Sequence, residues 1–167
     1  YYLLQMGVYR LARKLHREFH FSLVHHLTFT SYWLPSFLPL LAVPFIWGPV
    51  AGAESAPPAF RKSFSPRGRI YEVLRDTARR LSEMNPFVQL TARRAAASFS
   101  VTPKTAERLT ALGCRNVAVA SQVALSLEEM SLLANIPWRC GGPSMCFSIG
   151  WLRHWQGFAL GIRYFAR

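Results

Sequence analysis

The residues whose spacing carries the most chemistry lie near the end of the chain. An apolar run from Met145 to Ile149 stops at Gly150. A short loop through Trp151, Arg153 and Gln156 ends on Gly157, and Phe158, Ile162 and Phe165 follow at helical spacing. Strand, glycine turn and helix start is the arrangement that presents free backbone N–H groups and a positive dipole end to a phosphate. Two other places offer side chains. His25 and His26 close a strand-like run, so their rings point to opposite faces. Glu54 is the only carboxylate in a glycine-rich loop after a strand; the others, including Asp76, the sole aspartate, fall on helical patterns. With one aspartate no Asp-x-Asp metal site can be built. His16 and His20 stand four apart on a helix, but Glu18 lies on another face, so the His-Glu-x-x-His geometry of zinc proteases is absent and exposed histidines are expected. There is no Ser-His-Asp arrangement, complete Walker loop or Gly-x-Gly-x-x-Gly.

These residues need elements to hold them. Leu4, Val8, Leu11 and Leu15 form an apolar stripe with Arg10, Arg13, Lys14 and Arg17 on other faces, an amphipathic helix. Ser22–Leu27 reads as a strand, Trp33–Leu41 as a short helix, Pro44–Trp47 as a strand and Gly48–Ser65 as a loop rich in proline, glycine and alanine. Three helix starts share one punctuation, a capping residue followed by proline: Ser65-Pro66, Asn85-Pro86 and Thr102-Pro103. The first of these helices carries Ile70, Val73, Leu74, Thr77, Ala78 and Leu81 on one face. Phe99–Val101 and Val117–Val119 read as strands, Gly113 as a helix stop, and Leu127–Leu133 as a short helix. The alternation is that of a doubly wound parallel α/β sheet with helices on both faces. Ligands bind such sheets beyond the C-terminal ends of the strands. Four such ends can be placed: His25 to Thr28, Gly48 to Glu54, Thr102, and Gly150 to Gln156.

Composition narrows the partners. A 51% apolar share fits a globular protein and excludes a disordered one. A net charge of +12 suits nucleic acid, an anionic membrane surface or a polyanionic substrate. The cations sit on helices without interleaved exposed aromatics or a nucleic-acid module, so no nucleic-acid partner is expected, whereas attraction to an anionic membrane surface is. Leu27 to Ala53 contains no charged residue and is long enough to span a bilayer, but Pro35, Pro39, Pro44 and Pro49 interrupt it too often for a transmembrane helix. A buried parallel strand accounts for its hydrophobicity. Cys114, Cys140 and Cys146 are odd in number and lack metal-ligand spacing, which fits a reducing, cytoplasmic setting.

The motifs at the strand ends resemble one family. Val24-His25-His26-Leu27-Thr28, Ser31-Tyr32-Trp33-Leu34-Pro35-Ser36-Phe37, Pro44-Phe45-Ile46-Trp47-Gly48-Pro49-Val50, Gly52-Ala53-Glu54, Ser65-Pro66-Arg67-Gly68-Arg69 and Thr91-Ala92-Arg93-Arg94-Ala95 look like the back half of the acceptor-side domain of bacterial family-four glycosyltransferases. These are retaining enzymes of the GT-B fold, with two Rossmann-like domains across a cleft. Gly150, Leu152, Gly157 and the helix from Phe158 resemble the strand–loop–helix that opens their donor-binding domain. The family pattern has two cations that contact the donor diphosphate; here Trp151 stands in place of the arginine and Gln156 in place of the lysine.

The resemblance implies an acceptor-side Rossmann-like domain over 1–136, a linker over 137–143, and the start of a donor-binding domain over 144–167. It implies transfer of a sugar, with retention, from a nucleotide-sugar donor to a carbohydrate or lipid-linked acceptor. No cofactor or metal is expected, the nucleotide-sugar being a substrate. His25 or His26 would hydrogen-bond a sugar hydroxyl or phosphate and Glu54 would orient an acceptor hydroxyl. Gly150, Trp151, Arg153, Gln156 and Gly157 would face the diphosphate. The chain starts and stops inside helical patterns, as expected of an internal fragment that is inactive alone, acting at the inner face of the plasma membrane. Trp151 and Gln156 also motivate a rival reading, a non-catalytic GT-B relative or a basic peripheral membrane-binding module.

Overall fold

A computed structural model of the chain describes residues 1–27, 30–122, 124–136, 161, 162 and 165. The described chain divides into two compact units, Tyr1–Ser55 with Leu74–Gln122, and Ala56–Val73 with Val123–Arg167. The first unit holds the sheet. Strands β1 (Val24–His26), β2 (Phe45–Val50), β3 (Ala97–Ser100) and β4 (Val117–Val119) lie in the order β1-β2-β3-β4, all parallel. The protein is therefore α/β, with a Rossmann-like parallel sheet flanked by helices. Four helices contribute to this unit: α1 (Tyr2–Phe19), the second part of α3 (Pro66–Glu83), α4 (Pro86–Arg94) and α5 (Pro103–Ala111).

The proline-marked caps set the helix starts as the sequence indicates. Asn85 Oδ1 accepts from the Phe87 N–H at 2.9 Å, Thr102 Oγ1 from the Thr105 N–H at 3.2 Å, and Ser65 Oγ from the Gly68 N–H at 3.2 Å. Each bond satisfies a donor that the first helical turn leaves without a partner. Gly113, at φ 101°, turns the chain out of α5, with Cys114 N–H closing back onto the Leu109 carbonyl at 3.0 Å.

The core forms where periodicities meet. On β2, Phe45, Trp47 and Val50 are almost wholly buried, as a strand covered on both faces must be. Val88, Ala92 and Ala95 from the α4 side and Leu109 and Leu112 from the α5 side fill the rest. Thr91 ties α4 to the segment after β1: its hydroxyl accepts from Ser36 N–H at 3.0 Å and lies 2.8 Å from the Phe87 carbonyl. Gly48 is needed at φ 114°, and a Cβ there would lie 2.2 Å from the Phe99 carbonyl oxygen, so only glycine lets β3 approach.

Three expectations are corrected. Trp33–Leu41 is not a helix; only Leu38–Leu40 forms a 3-10 turn, because Pro35 and Pro39 remove donors and restrict the residues before them. Gly48–Ser65 is not all loop: β2 continues to Val50 through a register shift after Trp47, and Pro58–Arg61 forms α2 in the second unit. The apolar stripes of α1 and α3 do not face a core. Leu4, Val8 and Leu11 are exposed while Gln5 is buried, its Oε1 accepting from Phe37 N–H at 3.3 Å. Leu74 and Leu81 are each 63% exposed, and α3 turns Arg75, Asp76, Arg79 and Glu83 inward instead. The cause is local: the backbone carbonyls of Ala53 and Glu54 need donors, and the α3 arginines supply them.

The second unit holds α2, the first part of α3 and α6 (Leu127–Ala134). Arg61 Nε donates to the Ala56 carbonyl and Arg69 Nε to the Phe64 carbonyl, both at 3.1 Å. A capping box starts α6, Ser126 Oγ accepting from Glu129 N–H while Glu129 accepts from Ser126 N–H. Gly161, Ile162 and Phe165 are helical. The Met145–Ile149 strand, the 137–143 linker and the loop residues Gly150, Trp151, Arg153, Gln156 and Gly157 lie outside the described residues. No helix among the described residues is long and apolar enough to cross a membrane.

Candidate functional site

Three of the four anticipated strand ends belong to one sheet. His25 and His26 pair in register with Ile46 and Trp47, which puts β1 beside the start of the Gly48–Glu54 segment; β3 leads into Thr102 on the other side of β2.

His25 is exposed at the end of β1, and its Nε2 lies 2.7 Å from the Gly48 carbonyl. A carbonyl only accepts, so Nε2 carries the proton, and in the neutral ring Nδ1 is left as an acceptor. The geometry thus refines the anticipated role: neutral His25 can take a hydrogen bond from a hydroxyl rather than give one, and donates only as imidazolium. His26, one residue on, is 6% exposed and turned into the protein, as strand alternation requires.

Glu54 is anchored rather than loose. Its Oε1 accepts from the hydroxyls of Thr102 and Thr105, the latter at 3.0 Å, and its Oε2 accepts from the Gly52 N–H at 3.1 Å. Burial pushes its carboxyl up, but the Thr102 and Thr105 hydroxyls and the backbone N–H groups of Glu54 and Gly52 outweigh it and hold the group below the ordinary glutamate range. The carboxylate stays ionised, joins the β2 loop to the cap of α5, and keeps acceptor capacity on Oε2.

Several residues that position this loop were not singled out in the sequence. Arg75 Nη2 donates to the Glu54 carbonyl at 2.9 Å, and Arg79 Nη1 to the Ala53 carbonyl at 2.7 Å and Nη2 to Ser55 Oγ at 3.0 Å. Asp76 accepts from Ser55 Oγ at 3.0 Å and lies 3.4 Å from Arg79. Farther along α3, Glu83 accepts from the Tyr32 hydroxyl and from Arg108 Nε, the latter at 2.9 Å. The signal was available: Glu72, Arg75, Asp76, Arg79 and Glu83 recur at helical spacing, a polar stripe as regular as the apolar one opposite.

No group of three histidine, cysteine or acidic side chains able to hold a metal gathers among the described residues, and His16 and His20 join none. The fold and the gathered loops define the class: an α/β protein with a Rossmann-like parallel sheet whose carboxyl ends carry the candidate site. Beyond that class, no protein-family model, curated protein or solved structure matches the chain.

Proposed function

We propose that the chain is the acceptor-side part of a retaining GT-B glycosyltransferase of the family-four type, using a nucleotide-sugar donor and a carbohydrate or lipid-linked acceptor. The observation that carries this reading is the gathering of His25, the Gly48–Glu54 loop and Thr102 at the carboxyl ends of adjacent parallel strands, where such sheets bind ligands. His25 Nδ1 and Glu54 Oε2 are the two acceptors available to fix a sugar hydroxyl, and the Arg75 and Arg79 contacts keep the loop in place for it. Catalysis would rest on positioning the acceptor and stabilising the departing diphosphate, for which no protein nucleophile is needed. The Gly150–Gly157 loop supplies the diphosphate contacts in this reading.

The test is a nuclear magnetic resonance titration with saccharide acceptors and nucleotide-sugars. Saccharides should shift His25 ring signals and the Gly52, Glu54 and Thr102 amides, and Glu54→Ala with His25→Ala should abolish the response. Replacing Trp151 by Arg and Gln156 by Lys should tighten nucleotide-sugar binding roughly ten- to a thousandfold, two charge-assisted contacts being gained. Saccharide shifts that avoid this loop, or no response to either ligand class, would defeat the reading. One observation favours the second reading, a non-catalytic or membrane-binding relative: the cations of α1 have no carboxylate partner among the described residues. Salt-sensitive binding to anionic vesicles without any saccharide response would decide for it.

A further inference from the structure

Helix α1 has three sides. At one hundred degrees per residue, Gln5, Tyr9, Ala12 and His16 turn toward the first unit and are buried or half-buried, while Leu4, Val8 and Leu11 lie on an outer stripe. Met6, Arg10, Arg13, Lys14 and Arg17 fall on the third side, and they border a cavity of about 650 Å³ closed by Phe37, Leu40 and Phe87. That volume is within the range of small-molecule sites, roughly 300–1,000 Å³.

The cavity is chemically polarised. At one end Tyr2, Phe37 and Phe87 form a tilted cluster, with ring centroids 6.2, 6.1 and 5.3 Å apart. The Tyr2 hydroxyl accepts from Asn85 Nδ2 at 2.6 Å, so the polar tip of this apolar end is occupied. Toward the other end four cations follow one another at spacings of three, one and three residues, and no acid lines the cavity; Glu18, the only acid on α1, is not among its walls. Like charges three and four apart on a helix repel, each pair costing about 0.2–0.5 kcal/mol. The helix dipole favours Arg17 in the last turn but does not reach Arg10 in the middle. A stack of unpaired cations beside an aromatic floor lacks an internal explanation, and an anion joined to an apolar body complements both halves.

We propose that this groove binds an anionic amphiphile, a single long hydrocarbon chain bearing a phosphate. The chain lies on Met6, Phe37, Leu40 and Phe87, and the phosphate is held by Arg10, Arg13, Lys14 and Arg17. Arginine forks match phosphate oxygens two at a time, which favours phosphate over a carboxylate head. The span from Met6 to Arg17 is about 17 Å at the helical rise, enough for an extended chain of medium length with its head. A groove closed on its far side by Phe37 and Phe87 fits one chain, whereas a bilayer surface calls for an open face. This inference is independent of the glycosyltransferase reading, since none of these residues belongs to the His25–Glu54 site.

The experiment titrates the 167-residue chain with dodecyl phosphate below its micellar concentration, by calorimetry and by the Met6 methyl signal. Expected are saturable one-to-one binding, at least tenfold weaker binding of dodecanoate and inorganic phosphate, and none of dodecyl maltoside. Arg13→Ala with Arg17→Ala should weaken binding about ten- to a hundredfold, two charge-assisted contacts being lost. Leu40→Glu, an exposed wall position, should abolish it, and amide spectra of both variants should stay those of the folded chain. Equal affinity for inorganic phosphate or dodecyl maltoside, binding to anionic vesicles but not to the monomeric amphiphile, or indifference to both variants would overturn the proposal.

Discussion

Glu83 offers the sharpest test of how α3 is attached. The Tyr32 side chain is 0% exposed, and its hydroxyl reaches Glu83 Oε1 at 2.5 Å. Arg108 makes a two-pronged contact with the same carboxylate, Nε to Oε1 at 2.9 Å and Nη2 to Oε2. Glu83 is 11% exposed and Arg108 46%, so the ion pair is half in water and contributes at most about 1 kcal/mol. The tyrosine bond is different. Removing Glu83 leaves a buried hydroxyl without its acceptor, a cost of about 1–3 kcal/mol. Glu83→Ala should therefore lower stability by about 2–4 kcal/mol, and Tyr32→Phe, which removes the hydroxyl as well, should bring the cost of Glu83→Ala down to about 1 kcal/mol. A coupling of about 1–3 kcal/mol is then expected from the cycle. Urea unfolding followed by fluorescence of the buried Trp47 reads it, a 2 kcal/mol loss moving the midpoint by about 1 M. If Glu83→Ala costs as much with phenylalanine at position 32 as with tyrosine, the hydroxyl is not the buried debtor and the assignment is wrong.

Three more expectations follow from the same geometry. Gly48→Ala should cost about 3 kcal/mol or more, since alanine would be forced to φ 114° with its Cβ 2.2 Å from a backbone oxygen; a urea midpoint within about 0.5 M of the parent would contradict the β2–β3 packing. Thr102→Ala should lose about 1–2 kcal/mol through the α5 cap and let the Glu54 carboxyl rise toward its ordinary value, measurable by carboxyl-carbon titration; an unmoved Glu54 would refute the Thr102 contact. Glu54 and Glu83 are both held below the ordinary 4.5, Glu83 because the Arg108 and Tyr32 bonds outweigh burial, so both contribute stability that is present above that pH and lost as pH falls through their folded values; stability should drop in that acid window for the parent and less steeply for Glu83→Gln.

Much of the fold was legible because it rests on local rules. The cap-and-proline pairs at Ser65, Asn85 and Thr102 announce helices at Pro66, Pro86 and Pro103 without reference to the rest of the chain. Val117–Val119 is found where its β-branched run placed it, and the other three strands overlap their anticipated spans with ends moved by a few residues. What local rules could not show is which face of a helix is buried. On α3 the apolar and polar stripes have the same period, and burial is decided by what the neighbouring loop requires. The carbonyls at 53 and 54, left without strand partners beyond β2, take Arg75 and Arg79 as donors, and that turns Leu74 and Leu81 outward.

The candidate site shows the same division. Residue type and strand-end position pick out His25 and Glu54, but not their states. The tautomer of His25 is set by a carbonyl 23 residues away in sequence, and the ionisation of Glu54 by two hydroxyls 48 and 51 residues on. Both partners reach the site through β-strand pairing, so the chemistry of these side chains is a property of the sheet. His25 pairs with Ile46 one step before the turn that holds Gly48, and the Gly48 carbonyl is fixed because β3 packs against that glycine. Displacing Gly48 would thus change which nitrogen of His25 faces a ligand before it touched any ligand contact. A ring-nitrogen measurement on Gly48→Ala, in whatever fraction remains folded, separates the two effects. Retention of the Nε2-protonated tautomer there would show that the histidine is held by something other than the carbonyl assigned to it.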